Sequence, residues 1–227
     1  MKGARGPRLV DLSHTVRDGM ITYRGLPGPV VRDHLSRRES REHYAEGTEF
    51  QVGMIQMVGN TGTYLDTPFH RFEGGRDLAA LPLERVADLD GVLIEADVGA
   101  ERAISRESLA GPEVSGRAVL IRTGWDRHWG TDGYFEGHPF LTGGAAAYLA
   151  EAGAALVGID SLNVDDTEDG RRPVHTTLLG RGIPIVEHLT GLERLRGHRF
   201  RFSAVPVKVA GLGSFPVRAF AIVAGEE

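Results

Sequence analysis

Asn60-Thr-Gly-Thr-Tyr-Leu-Asp-Thr-Pro-Phe-His70 follows an apolar run that ends near Met57. Between Gly59 and His70 the chain gathers two glycines, four hydroxyl side chains, Asn60, Asp66 and His70. Two readings fit so polar a stretch beside a buried element. In one it is a turn: Asn and Gly favour turns, Thr67-Pro68 is an extended dipeptide, and Asp66 bonds the local backbone. In the other, the rigid segment around Pro68 aims Asp66 and His70 at one point. There a carboxylate can ligate a divalent ion while an imidazole serves as base or ligand. Spacing by itself leaves both readings open.

Short β-rich runs recur on both sides of this segment, at Leu9–Leu12, Phe50–Met57, Val92–Ala96, Ala118–Arg122, Ala155–Ile159, Ile183–Val186, Arg199–Val209 and Val217–Val223. Several are continuously apolar, which predicts strands buried on both faces and a sheet covered by helices, an α/β fold. The clearest helix spans Gly143–Ala152, with Thr142 as cap and Gly153 as its left-handed stop. Shorter helices are predicted near Glu107–Ala110 and Thr176–Leu179. Arg32–Thr48 is charged and without pattern, and is expected to be an exposed excursion or lid. No linker divides the chain, so residues 1–227 are read as a single domain.

Composition narrows the function. The 227 residues are 41% apolar and 25% charged, as in a folded protein. The net charge of -5 is spread along the chain with no long basic run, so nucleic acid is not an expected partner. The absence of cysteine excludes disulfides, thiolate ligands and a cysteine nucleophile, and leaves His, Asp and Glu for any metal site. Met1–Arg8 is basic but lacks the apolar stretch of a secretory signal, and no apolar run approaches the ~20 residues of a membrane span. A cytoplasmic location and no membrane partner are the expectations.

Asn60–His70 resembles the signature of the cyclase family of metal-dependent hydrolases, which includes kynurenine formamidase: His, any residue, Gly, Thr, His, any residue, Asp, any residue, Pro, any residue, His. Gly62, Thr63, Asp66, Pro68 and His70 match it. The resemblance continues through Asp11–His14 with Gly19-Met20, Thr123–Trp125, His138-Pro139, Gly158–Asp160, His175 with Glu187, and Gly211–Pro216. It therefore covers nearly the whole chain in order. It implies a swivelling β/β/α-type domain with a mixed β-sheet core flanked by helices, assembled as a homodimer or homotetramer.

The same resemblance implies a metal site. In relatives with paired metals, one ion is held by the motif's two histidines and its Asp, the other by that Asp, the later His and the Glu. Here the two histidine positions are Asn60 and Tyr64, poor or uncommon ligands, so the first position is expected to be lost or weakened. Asp66, His175 and Glu187 remain for one divalent ion, zinc or manganese. The resemblance makes His70 the general base or proton shuttle and places Trp125 and His138 near the substrate, with Asn60 also at the substrate site. Tyr64 is expected to donate a hydrogen bond to a developing oxyanion. Core packing accounts equally well for Trp125 and its aromatic neighbours. His188 is left out of the site, because strand alternation turns it away from Glu187.

The expected activity is hydrolysis of a small amide, formamide, lactone or cyclic amide by metal-activated water. Two alternatives stay open: a metal-independent cyclase, lyase or isomerase using Asp66, His70 and Tyr64 for acid–base work, and a small-molecule-binding relative without catalysis. Other motifs fail. Asp165–Gly170 begins like a calcium loop, but Thr176 stands where the bidentate Glu belongs, so it is read as an acidic surface loop. Gly211-Leu-Gly213 lacks the third glycine and the helix of a dinucleotide site.

Overall fold

Val119 and Ile121 face one way from their strand and Ala118 and Leu120 the other, and all four are fully buried. That is the two-sided burial their continuous apolar sequence predicts. The computed structural model describes residues 6–96 and 101–225, so part of the basic segment Met1–Arg8 lies outside it. The strands among the described residues are β1 (Arg8–Asp11), β2 (Val30–Leu35), β3 (Val52–Gln56), β4 (Tyr64–Asp66), β5 (Leu89–Glu95), β6 (Ala103–Ile104), β7 (Ala118–Arg122), β8 (Phe140–Leu141), β9 (Leu156–Ile159), β10 (Ile185–Glu187), β11 (Phe200–Ser203), β12 (Ser214–Pro216) and β13 (Phe220–Val223). The α-helices are α1 (Arg37–Ser40), α2 (Arg106–Leu109), α3 (Gly143–Glu151) and α4 (Pro173–Gly180).

Nine strands form one mixed sheet in the order β1-β13-β11-β5-β7-β9-β10-β4-β12. Its centre, β5 to β10, is parallel, and the strands on either side pair antiparallel. Leu149 of α3 and Leu178 of α4 cover one face, packing with Val119, Val157 and Ile185. On the other face, Val10 and Ala221 from one end of the strand order share a core with Leu65 from the other end. The sheet therefore curls, as the right-handed twist of strands favours. No helix among the described residues is long and apolar enough to cross a membrane.

Helix α3 starts where the sequence predicts: the Thr142 hydroxyl accepts from the Ala145 amide, and Gly153 takes φ +78° beyond its end. Helix α4 is longer than the predicted Thr176–Leu179, because Pro173 occupies its first turn and Asp165 caps it from a distance. The structure departs from or refines the expectations in three places. Phe50–Met57 does not supply a strand buried on both faces: β3 pairs with β2 in a separate ribbon, and its Val52 and Ile55 are about half exposed. Arg32–Thr48 is exposed, yet it is ordered into part of β2 and into α1, which Ser36 and Glu39 start with a reciprocal capping box. The predicted strand Arg199–Val209 also shortens to β11, after which only Pro206 bridges, to Val217.

Candidate metal centre and active site

The polar segment is both a strand and a turn. Tyr64–Asp66 forms β4, hydrogen-bonded between β10 and β12, and Pro68–His70 forms a single 3₁₀ turn. Register does the assembling. Tyr64 lies opposite Glu187 and Asp66 opposite Ser214, so cross-strand partners meet on the face that α4 covers, while Leu65 and Val186 point into the opposite core. The Tyr64 hydroxyl donates to Glu187 Oε2, and the Ser214 hydroxyl donates to Asp66 Oδ1. Gly213 permits this closeness: a Cβ there would stand 2.3 Å from the His70 backbone nitrogen.

His175 enters from α4. Asp165 accepts the Val174 amide at 2.7 Å and the His175 amide at 3.0 Å, satisfying two amides of the helix's first turn. Its Oδ2 also lies 2.7 Å from His175 Nδ1. Nδ1 is thereby occupied and Nε2 is turned towards Asp66 Oδ2 at 3.6 Å and Glu187 Oε1 at 3.8 Å. This is the carboxylate–imidazole arrangement that orients histidine ligands in metal proteins. Asp165 is fully buried, so the reading of Asp165–Gly170 as an acidic surface loop is wrong at its first residue. The Asp165 carboxylate faces inward onto the first turn of α4, an arrangement that calcium-ligand spacing does not describe.

Three buried carboxylates, Asp66, Asp165 and Glu187, surround His175. Burial opposes the charge on His175, but the bond to Asp165 and the nearness of Asp66 and Glu187 prevail and raise its pKa to about 10. Burial and the neighbouring Asp66 push the Glu187 carboxyl up, and burial together with Glu187 keeps the Tyr64 phenol protonated. The cluster thus carries a surplus of negative charge. Asp66 Oδ2, moreover, is buried without a hydrogen-bond partner. Two atoms that share a tetrahedral ion at ~2.1 Å stand ~3.4 Å apart. The separations at His175 Nε2, the orphan oxygen and the nitrogen–oxygen donor set all fit a divalent cation. His70 fits as well, since Asp66, His70 and His175 offer ligand atoms within 4.8 Å of one another.

The carboxylates open onto a cavity of about 460 Å³ lined by Tyr23, Arg24, Gly25, Leu26, Asn60, Tyr64, His70, Arg71, Asn163, Arg172, His175 and Glu187. Asn60, Tyr64, His70, His175 and Glu187 therefore converge, with Asp66 directly behind. Trp125 and His138 do not line this cavity. The Trp125 indole donates to the Tyr134 carbonyl, and buried His138 donates from Nε2 to the Asp165 carbonyl, bracing the loop that holds His175. The Tyr64 proton is directed at Glu187 instead of into the cavity, so in this geometry it is a positioning group and not a free oxyanion donor. His188 is absent from the lining, though for a different reason from strand alternation. It takes φ +57° and packs its ring against Tyr64 and Tyr134, fully buried.

Sequence reading missed Tyr23, Arg71, Asn163, Asp165, Arg172 and Ser214. Only Asp165, ten residues before His175 in an acidic cluster, carried a signal that could have been followed.

A mixed sheet with an inward-facing carboxylate–imidazole cluster at its antiparallel flank defines the class, a curled α/β domain of metal-hydrolase type. The chain belongs to the putative cyclase family, whose model matches residues 10–166. It is 27% identical over 211 residues to a kynurenine formamidase of Bacillus cereus, covering 92% of this chain and 95% of that one. A solved structure of a potential metal-dependent hydrolase with cyclase activity superimposes with a TM-score of 0.75 at 25% identity, covering 98% of this chain and all of the other. Isatin hydrolase A of Labrenzia aggregata, solved with benzyl benzoate, shares the fold with a TM-score of 0.81 at 23% identity, covering 96% and 94% of the two chains.

Proposed function

We propose that the protein is a metal-dependent hydrolase that cleaves a carbon–nitrogen bond of a small formamide, amide or cyclic amide, with lactones as related substrates. The observation that carries this reading is His175 Nε2, turned by Asp165 onto the partnerless Oδ2 of Asp66 and onto Glu187. Asp66, His175 and Glu187 would hold one divalent ion, zinc or manganese. Bound there, the ion would supply Lewis-acid polarisation and a water of lowered pKa.

The protein's own groups handle the proton. Ser214 has one hydroxyl hydrogen and gives it to Asp66, so towards His70 Nδ1, 2.9 Å away, its oxygen can only accept. Nδ1 of His70 must then carry hydrogen, which leaves the Nε2 lone pair as the base at the cavity wall. Water adds to the carbonyl carbon as His70 takes its proton. Return of that proton to the departing nitrogen completes cleavage to an acid and an amine. Tyr64 fixes Glu187, and Asn60, beside the Tyr64 hydroxyl, is available to the substrate.

Supporting the assembly expected from sequence, Val30, Val31, Val52 and Ile55 expose apolar surface on the β2–β3 ribbon. We take the chain as one domain forming a homodimer or homotetramer. The test of the catalytic reading is elemental analysis of untagged protein, with turnover measured on formamides, cyclic amides and lactones. About one divalent ion per chain, lost in Asp66→Ala and His175→Ala together with activity, is the expected result. Full activity in protein stripped of metal would instead favour a metal-independent lyase or isomerase.

A further inference from the structure

A second cavity, of about 310 Å³, adjoins the elements that carry His70 and His175, and no residue of its wall also lines the catalytic cavity. Three arginines contribute to it, Arg76, Arg85 and Arg181. The chain as a whole has 31 acidic residues against 26 basic ones, and arginines elsewhere on its surface find carboxylates readily: Arg196 pairs with Glu95, and Arg201 with Asp88 and Asp90. Here no carboxylate lines the wall, and none of the three arginines makes an ion pair among the described residues. Like charges gathered without a counter-charge repel one another, and an anion among them removes that cost.

The three side chains arrive from separate segments. Arg76 follows the turn Pro68–His70, Arg85 ends the 3₁₀ turn Leu83–Arg85, and Arg181 comes directly after α4. A cation at the end of α4 complements the helix dipole, which accounts for Arg181 and not for the other two. Nor do the last carbonyls of α4 oppose an anion, since those of Thr177, Leu178 and Leu179 already accept from the amides of Arg181, Gly182 and Ile183. The remaining wall is apolar, with buried Pro68 and Leu179 and half-buried Leu81 and Pro82. Through Pro68 the cavity touches the His70 turn. The Phe69 amide donates to the Arg76 carbonyl at 3.0 Å, and Gly75 packs so close to Pro68 that a Cβ would overlap its carbonyl carbon.

We infer that this cavity binds a phosphoryl group, free or carried on a small organic molecule, and that the bound anion ties the His70 turn to the end of the His175 helix from outside the catalytic cavity. Three guanidiniums reaching in from three segments match a tetrahedral oxyanion with several acceptor oxygens better than a planar carboxylate, which one guanidinium satisfies through two parallel bonds. The apolar strip along Leu81, Pro82 and Leu179 suits the organic part of a phosphate monoester. The inference does not depend on the hydrolase reading above.

The experiment titrates metal-loaded full-length protein with inorganic phosphate and with phenyl phosphate, by calorimetry at constant ionic strength. Saturable binding of one anion per chain with Kd of about 1 mM or tighter is expected. Burial of the ring should make phenyl phosphate tighter by roughly 3- to 10-fold. Arg76→Gln, Arg85→Gln and Arg181→Gln should each weaken binding by roughly 3- to 10-fold, and the triple variant by about 30-fold or more, because exposed guanidiniums act through screened, charge-assisted bonds. The single variants keep the test open if the triple variant does not fold. Amide hydrogen exchange should slow on binding in residues 68–76 and in α4. Equal affinity for the two probes that still depends on the arginines supports the site with the free ion as its ligand. Absence of saturable binding below about 10 mM, or binding unchanged in all the arginine variants, overturns the inference. Binding that leaves exchange in residues 68–76 and α4 unaltered overturns the tie between the two elements.

Discussion

Asp165 caps the helix that carries His175 and, with the same carboxylate, holds the Nδ1 atom of the His175 ring at 2.7 Å. Ring orientation and helix start are thus one structural event. Asp165→Asn keeps the shape and an acceptor oxygen but removes the charge that favours Nε2 as a ligand. Metal affinity should fall roughly 10- to 100-fold, the usual effect of losing such an outer partner, with the fold retained. Titration of stripped protein with zinc or manganese checks this, and unchanged affinity would remove Asp165 from the site.

Ser214→Ala removes the hydroxyl that sets the tautomer of His70 and bonds Asp66. Turnover should drop roughly 10- to 100-fold with a much smaller change in KM, because the group acts on proton transfer and not on substrate binding. An equal fall in kcat/KM through KM alone would count against this role.

Gly213→Ala tests the backbone contact behind the site. Its Cβ would meet the His70 nitrogen at 2.3 Å, and backbone cannot swing aside as a flexible side chain does. A stability loss of about 1–3 kcal/mol is expected from such overpacking, along with a displaced His70 and reduced turnover. Thermal unfolding and kinetics together decide it; a wild-type melting temperature would mean that the β12 segment yields more readily than the close approach implies.

His14 governs part of the stability at low pH. It stacks on Trp129 at 3.9 Å, its Nε2 is buried without a partner, and burial lowers its pKa to about 4 against a weaker opposing pull from Asp126. A base with a lowered folded pKa gives stability that is complete above its unfolded value near 6.5. That stability is lost as pH falls towards 4. The shift corresponds to on the order of 3 kcal/mol. His14→Phe keeps an aromatic stack and cannot take up the proton, so its melting temperature should decline less between pH 7 and pH 4; parallel curves would refute the assignment.

Much of this was legible in sequence where chemistry and pattern coincide. Ala118–Arg122 reads as a buried strand because each residue is apolar until the last, and Thr142 with Gly153 brackets α3 by capping alone. Asp66, His70, His175 and Glu187 were recoverable through the family motif. What failed to show itself depends on long-range register. Tyr64–Asp66 is too short to display alternation, and its strand identity comes from pairing with β10 and β12. Ser214 carries no local mark of function until it lies opposite Asp66. Arg172 looks like one of two adjacent surface arginines, and nothing local marks it as part of the cavity wall, where a bond to the Asp166 carbonyl holds it. Trp125 and His138 were drawn to the substrate by analogy, whereas hydrogen bonds to Tyr134 and Asp165 fix them in the supporting layer.

The position of β4 between β10 and β12 bears on how the protein matures. Asp66 obtains its neighbours only from chain made more than a hundred residues later, Glu187 on one side and Ser214 on the other. Closing such distant pairs is the slow, entropically costly part of folding. A nascent chain that has emerged only through α3 lacks β9, α4 and β10, and with them His175 and Glu187. Ion capture at Asp66, His175 and Glu187 would wait until synthesis has passed β10, so loading with metal would report folding that is nearly finished and would not nucleate it.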